Sequence, residues 1–244
     1  VVCTDIDGSA AEATASSLSP RARAATLDVT DAGAVQAAVD DVVGRAGRLD
    51  LMFNNAGIVW GGETELLTLD QWNAIIDINL RGVVHGVVAA YPQMLRQGDG
   101  HIINTASMAG LAAGGQLTSY VATKHAVVGL SMALRSEAVP RGVGVLVVCP
   151  AAVETPILDK GAVGSFGGRD YFLKTQGGKA YDADQLARDI LRAIERNKAI
   201  LVKPTVAHAQ WLFARLAPVM MNRLSMRFTS PQAKRSPSRA VDSG

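Results

Sequence analysis

Short apolar runs punctuate this chain: Val1–Thr4, Ala24–Asp28, Leu51–Asn54, His101–Ala106, Val143–Cys149 and Ala199–Val202. Between them lie longer stretches with helical patterning, roughly Ser9–Leu18, Ala32–Ala46, Leu69–Arg96, Leu117–Val139 and Asp184–Asn197. The runs predict strands and the stretches predict helices. Apolar strands alternating with helices make βαβ units, hence a parallel sheet covered on both faces. The punctuation agrees. Asp50 and Gly100 mark entries to strands, and Pro150, which cannot donate to a ladder, is expected to stop the strand ending at Cys149. The predicted class is α/β with a doubly wound parallel sheet.

Composition bounds the picture without redirecting it. A chain of 244 residues, 48% hydrophobic, can bury one large core. A net charge of +2 argues against a nucleic-acid surface. Cys3 and Cys149 stand far apart in strand-like runs and read as buried, reduced thiols. His85, His101, His125 and His208 are scattered, so no metal site is expected. No secretory signal and no apolar span of membrane length is read, and a cytoplasmic protein is expected.

The chemistry concentrates in the run SMAGLAAGGQLTSYVATK, where Ser107, Tyr120 and Lys124 stand at Ser-x12-Tyr-x3-Lys. Tyr120 and Lys124 are four apart, so on a helix they share one face. That sets an ammonium beside a phenol. A phenol near pKa about 10 is a poor base at neutral pH, and a neighbouring cation lowers that value. Ser107 follows a strand-like run, at the carboxyl end where open parallel sheets bind ligands.

Other segments join this triple. Asn54-Asn55-Ala56-Gly57 follows the strand LDLMF, Asn79 sits in IIDINLRG, Asp28 ends AATLD, and Asp5 ends VVCT. In order, spacing and context, residues 1 to 203 resemble the classical short-chain dehydrogenase/reductase family. The resemblance implies a Rossmann-type sheet and an oxidoreductase that interconverts a secondary alcohol and a ketone with NAD(P). Asn79, Ser107, Tyr120 and Lys124 would form its catalytic tetrad. Tyr120 would be the general base in oxidation and the acid in reduction, and Asn79 a step in a proton relay through water and Lys124. A dinucleotide sensor or scaffold without turnover is the alternative, and an intact tetrad argues against it.

The resemblance also assigns the cofactor side. Asp5 would accept hydrogen bonds from the adenosine ribose and repel a 2′-phosphate, favouring NAD over NADP, with Ile6 supplying no compensating charge. Asp28 and Val29 would flank the adenine. Asn55, Ala56 and Gly57 would form the turn along the ribose. In PAAVETP, Pro150 opens the segment, Val153 would meet the nicotinamide carboxamide through its backbone, and Thr155 the carboxamide or a phosphate. Ala151 stands where the family usually has Gly, which is tolerable if the backbone there avoids positive φ. The family's first strand and its TGxxxGxG turn are not found; the chain opens on what resembles the second strand. A complete member would carry roughly 30 residues more, holding that strand, turn and first helix.

The substrate side is less legible. Ser107, Met108, Gln116, Leu117 and Tyr120 are the candidate substrate contacts, with Trp60, Leu111, Ile157 and Leu158 as further lining, so the expected partner is a small hydrophobic alcohol or ketone. The glycine-rich stretch 160–180 resembles a mobile substrate lid, or is a plain solvent loop. Residues 204–228 read as an amphipathic helix, possibly broken near Pro218, that packs over the pocket or a partner subunit or touches a membrane interface. The tail 229–244 is expected to be disordered. Apolar positions on more than one face of the helices bearing Asn79 and Tyr120 (Val83, Val87, Val127, Val128, Leu130) go with a homodimer or homotetramer built on those helices.

Overall fold

Parallel pairing of short apolar strands organises the molecule, a computed structural model that describes residues 1–175 and 178–233. The strands are β1 (Val2–Asp5), β2 (Arg23–Thr26), β3 (Leu51–Asn54), β4 (Gly100–Thr105), β5 (Val143–Pro150) and β6 (Ile200–Lys203). The helices are α1 (Gly8–Leu18), α2 (Ala32–Ala46), α3 (Leu69–Ile76), α4 (Gly82–Gln97), α5 (Thr118–Ala138), α6 (Gly168–Thr175), α7 (Ala183–Glu195), α8 (Ala207–Leu216) and α9 (Pro218–Ala233). Every strand pair is parallel. This is the Rossmann-like α/β architecture expected.

Alternation along the central strands assigns the two layers. Ile102 and Val145 pack with Val39, Ala90, Met94 and Leu134 of α2, α4 and α5. Ile103, Leu146 and Val148 face the other way, against Ala193 of α7. β5 is buried at every position, as a strand covered on both faces must be. Helix ends follow from their caps. Asp7 and Asp31 accept from the first-turn amides of α1 and α2, Thr68 and Gln71 form a capping box on α3, and Gly47 and Gly98 close α2 and α4 in left-handed conformation.

The sheet is in two pieces, β1-β2 and β3-β4-β5-β6. A slot of about 540 Å³ lies between β1 and β3, lined by Val2, Thr4, Leu27, Val39, Met52 and Phe53 and ringed by Arg21, Arg23, Arg45 and Arg48. Leu51 and Phe53 are 39% and 46% exposed there, unusual for large side chains on a parallel strand.

Several boundaries differ from the sequence reading. Residues 69–97 are α3 and α4 joined by a π turn over Asp77–Arg81, with Asn79 inside it. The same run reaches a mean hydropathy of 1.3 and is long and apolar enough to cross a membrane, which the sequence reading denied. Here it is a core layer, with Ile75, Ala90 and Met94 fully buried. Pro150 does not stop β5; it pairs with Lys203 of β6, and its missing N–H falls on the opposite flank, beyond the last β4 pair Thr105–Val148, so no ladder bond is lost. The C-terminal helix is broken at Ala217, before Pro218, into α8 and α9. α9 runs to Ala233, into the stretch expected to be disordered; residues 234–244 lie outside those described.

A buried amide ladder ties β3, β4 and α5 together. Asn54 Nδ2 donates to Asn104 Oδ1 (2.8 Å), Asn104 Nδ2 to Ser131 Oγ (2.9 Å), and Ser131 Oγ to the Val127 carbonyl (2.7 Å). Gly86 of α4 makes room for it: a Cβ there would stand 1.8 Å from Asn54 Oδ1. Gly86→Ala should therefore destabilise the protein by about 2 kcal/mol, although Ala gains about 1 kcal/mol in helix propensity. A urea midpoint equal to or above that of the parent protein would show that Asn54 is not held where the ladder puts it.

Candidate active site

The carboxyl ends of β3, β4 and β5 open on a cleft of about 680 Å³. Ser107, Tyr120 and Lys124 all line it. Ser107 follows β4 in extended conformation and caps the 3-10 turn Met108–Gly110, its Oγ accepting from the Ala109 amide at 3.1 Å. That leaves its hydroxyl proton free to donate. Tyr120 and Lys124 occupy the first two turns of α5 on one face, with Lys124 Nζ 5.6 Å from the phenol ring centroid. Gly110 lets the 3-10 turn press onto α5; a Cβ there would be 2.5 Å from the Lys124 carbonyl.

Burial sets the electrostatics. Tyr120 and Lys124 are 8% and 3% exposed. Lys124 Nζ donates to the Thr105 carbonyl at 2.8 Å, and burial pulls its pKa from 10.5 to about 8. Burial pushes the Tyr120 phenol above its usual value, against a smaller lowering by the Ser107 hydroxyl. The expected lowering by Lys124 together with a cationic nicotinamide concerns the occupied cleft; in the protein alone desolvation sets the direction. Cys149 lies beneath, its thiol raised to about 12 by burial, and is inert.

Asn79 is fully buried, and its bonds are accounted for. Its Oδ1 accepts from the Ile58 amide (2.8 Å), and its Nδ2 donates to the Ile58 carbonyl (2.9 Å) and Thr123 Oγ1 (3.3 Å). It clamps the turn after β3 to α5. Gly57 backs onto it: a Cβ there would be 3.2 Å from Asn79 Oδ1 and 3.5 Å from Lys124 Nζ.

The expected cofactor residues divide into two sets. Asp5, Asn55, Ala56, Gly57, Pro150, Val153 and Thr155 line the same cleft as Tyr120 and Lys124. Ile6, Asp28 and Val29 do not. Ile6 is 69% exposed, Asp28 is turned back on Thr30, and Val29 packs on Gly82 while its carbonyl accepts from His85 Nδ1 at 2.9 Å. Ala151 keeps negative φ and donates to the Lys203 carbonyl at 2.7 Å, so the methyl is accommodated.

The substrate candidates divide as well. Trp60, Ile157 and Leu158 line the cleft, joined by Lys160 and Phe172 of the glycine-rich stretch and by Val59 and Leu186, which the sequence did not mark. Met108 and Leu117 instead line an adjacent cavity of about 150 Å³ closed by Tyr171 and by Met221 and Leu224 of α9. Gln116, in left-handed conformation at φ 62°, donates its Nε2 to Glu63 Oε1 (3.0 Å), outside the cleft. Leu111 packs into the core beside Met108. The stretch read as a lid or solvent loop has its own packing. Phe166, Tyr171 and Phe172 are buried, with the Phe166 and Tyr171 rings 5.0 Å apart, and Gly61 and Gly161–Val163 exchange backbone hydrogen bonds. α9 reaches the same region, Ser225 Oγ accepting from the Gly115 amide at 3.2 Å.

The chain is similar to known proteins. The family profile described as short chain dehydrogenase matches residues 1–162. The 3-alpha-(or 20-beta)-hydroxysteroid dehydrogenase of Mycobacterium bovis is 40% identical over 159 residues, covering 65% of this chain and 61% of that protein. The chain thus spans less than two thirds of that curated relative in the match. A short-chain dehydrogenase from Streptomyces avermitilis superposes with a TM-score of 0.79 at 27% identity, over 96% of this chain and 88% of the other. A gluconate 5-dehydrogenase from Burkholderia cenocepacia, in complex with NADP and tartrate, superposes with a TM-score of 0.74 at 25% identity, over 85% of each.

The buried amine carries a stability cost with a defined pH course. Below about pH 8 Lys124 is protonated folded and unfolded, and the folded protein bears the full cost of the buried charge. Between about 8 and 10.5 the unfolded chain still holds the proton while the folded one does not, so stability rises. The interval is worth about 3 kcal/mol, less about 1 for the Thr105 carbonyl left without its donor. Lys124→Met should therefore gain roughly 2 kcal/mol at pH 7, and the gain should vanish by pH 10.5. Urea unfolding across that range measures it; a gain independent of pH would rule out the buried charge as its source.

Proposed function

This chain belongs to the short-chain dehydrogenase family, and we propose that its cleft interconverts a secondary alcohol and a ketone on a hydrophobic body, with NAD as cofactor. One observation carries the reading: Ser107, Tyr120 and Lys124 share a single cleft with Asp5, Asn55–Gly57, Val153 and Thr155. The residues present suit a dinucleotide. Asp5 keeps one carboxylate oxygen clear of its bond to the Asp7 amide, Gly57 offers bare backbone, and Lys124 ends between that backbone and Tyr120. When bound, the nicotinamide supplies the site of hydride gain or loss and, oxidised, a positive charge near the phenol.

The protein's own part is a proton and its placement. Ser107 donates to the reacting oxygen. Tyr120 takes the alcohol proton in oxidation and returns it to the ketone oxygen in reduction. Lys124 holds the ribose and passes the proton onward. Asn79 holds the Gly57 turn against Lys124, where a relay through it would run. Four placed groups speak for turnover rather than for a bare sensor. The apolar lining of Val59, Trp60, Ile157, Leu158, Phe172 and Leu186 supports a hydrophobic substrate, as does the likeness to a hydroxysteroid dehydrogenase.

Further parts of the reading rest on less. The family uses NAD or NADP, and Asp5 is what favours NAD; the related gluconate 5-dehydrogenase holds NADP. The slot between β1 and β3 suits one more parallel strand, followed by the glycine turn that the resemblance expects. A cytoplasmic homodimer or homotetramer through α4 and α5 follows the same resemblance. Exposed Val88 and Met132 on those helices support a contact, whereas Val83 and Val127 are spent in the core.

Two measurements test this. With NAD⁺ and a panel of hydrophobic secondary alcohols, Tyr120→Phe should lower kcat by about 10²–10⁴-fold and leave NAD binding nearly unchanged; a variant keeping more than about a tenth of parental turnover would mean the proton travels elsewhere. Asp5→Ala with Ile6→Arg should shift preference toward NADP, and equal or better use of NADP by the parent protein would refute the role given to Asp5.

A further inference from the structure

The segment after β5 is held in a way its own sequence does not explain. Residues 151–154 run along the cleft as a strap fastened by backbone bonds to two other segments. The Ala151 amide donates to the Lys203 carbonyl (2.7 Å), the Tyr181 amide to the Ala152 carbonyl (2.7 Å), and the Glu154 amide to the Tyr181 carbonyl (2.9 Å). The last two make a parallel bridge between Val153 and Tyr181. In such a bridge the residue flanked by the bonds turns its own N–H and C=O the other way. For Val153 that way is the cleft, which it lines. Its carbonyl takes Thr155 Oγ1 at 3.3 Å.

Tyr181 and Lys203, whose backbones fasten the strap, converge on one carboxylate. Tyr181 Oη donates to Asp189 Oδ2 at 2.8 Å, and Lys203 Nζ lies 3.0 Å from the same oxygen. Arg192 stands 3.6 Å from Oδ1. Asp189 is 8% exposed on α7, one turn beyond Leu186, which lines the cleft. Burial raises its carboxyl, but the hydrogen bonds from Tyr181 and Lys203 outweigh this and hold it below the ordinary value, so it is ionised at neutral pH. By contrast, the ion pairs of Arg169 with Glu154 and Asp159 lie at the surface, where such pairs contribute little. The buried carboxylate is the anchor common to both fastenings.

We propose that Asp189 is a positioning residue for the nicotinamide half of the cofactor: through Tyr181 and Lys203 it pins the strap that presents the Val153 N–H and Thr155 to the cleft. This rests on the dinucleotide reading above. It separates the cofactor's two halves. Asp5 and Asn55–Gly57 hold the adenosine side independently of Asp189, so loss of Asp189 weakens contacts to the nicotinamide side alone.

ADP-ribose, which lacks the nicotinamide, makes the distinction. Calorimetric titration of the protein and of Asp189→Ala with NAD⁺ and with ADP-ribose should show NAD⁺ affinity falling about tenfold or more and ADP-ribose affinity changing less than about twofold. Asp189→Asn, which still accepts from Tyr181, should fall between. Tyr181→Phe removes one hydroxyl and no charge; it should repeat the selective loss at smaller size, and adding it to Asp189→Ala should cost nothing further. Equal weakening of both ligands would reduce Asp189 to a general prop of the fold and overturn the proposal, as would unchanged NAD⁺ affinity in the variants. Should Asp189→Ala fail to fold, Tyr181→Phe carries the same comparison. A parent protein that binds neither ligand would overturn the dinucleotide reading and this proposal together; one that binds NAD⁺ while the variants show no selectivity overturns this proposal alone.

Discussion

The amide ladder from Asn54 through Asn104 to Ser131 is the constraint on which the site depends. Parallel strands have no short turn to fix their register, and apolar packing alone tolerates sliding. The ladder fixes it with side chains. It joins β3 to β4 one residue before Thr105, whose carbonyl takes the Lys124 amine, and joins β4 to α5 two turns beyond Lys124. Because Ser107 follows β4 while Tyr120 and Lys124 ride on α5, this link sets the distance between hydroxyl, phenol and amine. A slip of one residue would turn Asn104 to the other face of the sheet and take the site apart.

The price of that site is visible in its titratable groups. Desolvation moves Lys124 down, Tyr120 up and Cys149 up, each toward its uncharged form. Around these buried groups the local dielectric is low, so any charge brought near them acts more strongly than it would in water. In the protein alone the Tyr120 phenol stands above its usual value, and a positive charge brought into the cleft, as in the reading proposed above, would act in the opposite direction.

Much of this was legible in the residues. The strands were found to within a residue or two because apolar runs of that length have few other uses, and the Ser-x12-Tyr-x3-Lys spacing located the chemistry because a helix places residues four apart together. What escaped was set by packing. The π turn around Asn79 replaces one long helix because the Asn side chain must reach Ile58 and Thr123. α6 has few apolar residues in a glycine-rich setting, and only its aromatic contacts with Phe166 explain it. Met108, Leu117 and Gln116 are neighbours of the candidate catalytic residues in sequence, yet their side chains leave the cleft. Asp189 belongs to no local pattern; a helical Asp reads as solvated until Tyr181 and Lys203 are seen to meet on it.

The split sheet has a consequence for the molecule in company. Each open strand edge is a row of unsatisfied amides and carbonyls, which is a template for any extended chain that arrives. Here Leu51 and Phe53 add exposed apolar surface to that edge. Charge guards it only weakly: of the arginines at the opening, Arg23 and Arg45 pair with Asp41, and Arg48 with Asp50 and Asp99. A strand seated in the slot would satisfy the edge and cover Leu51 and Phe53 together, which makes such a strand as much a guard against self-association as a part of the sheet.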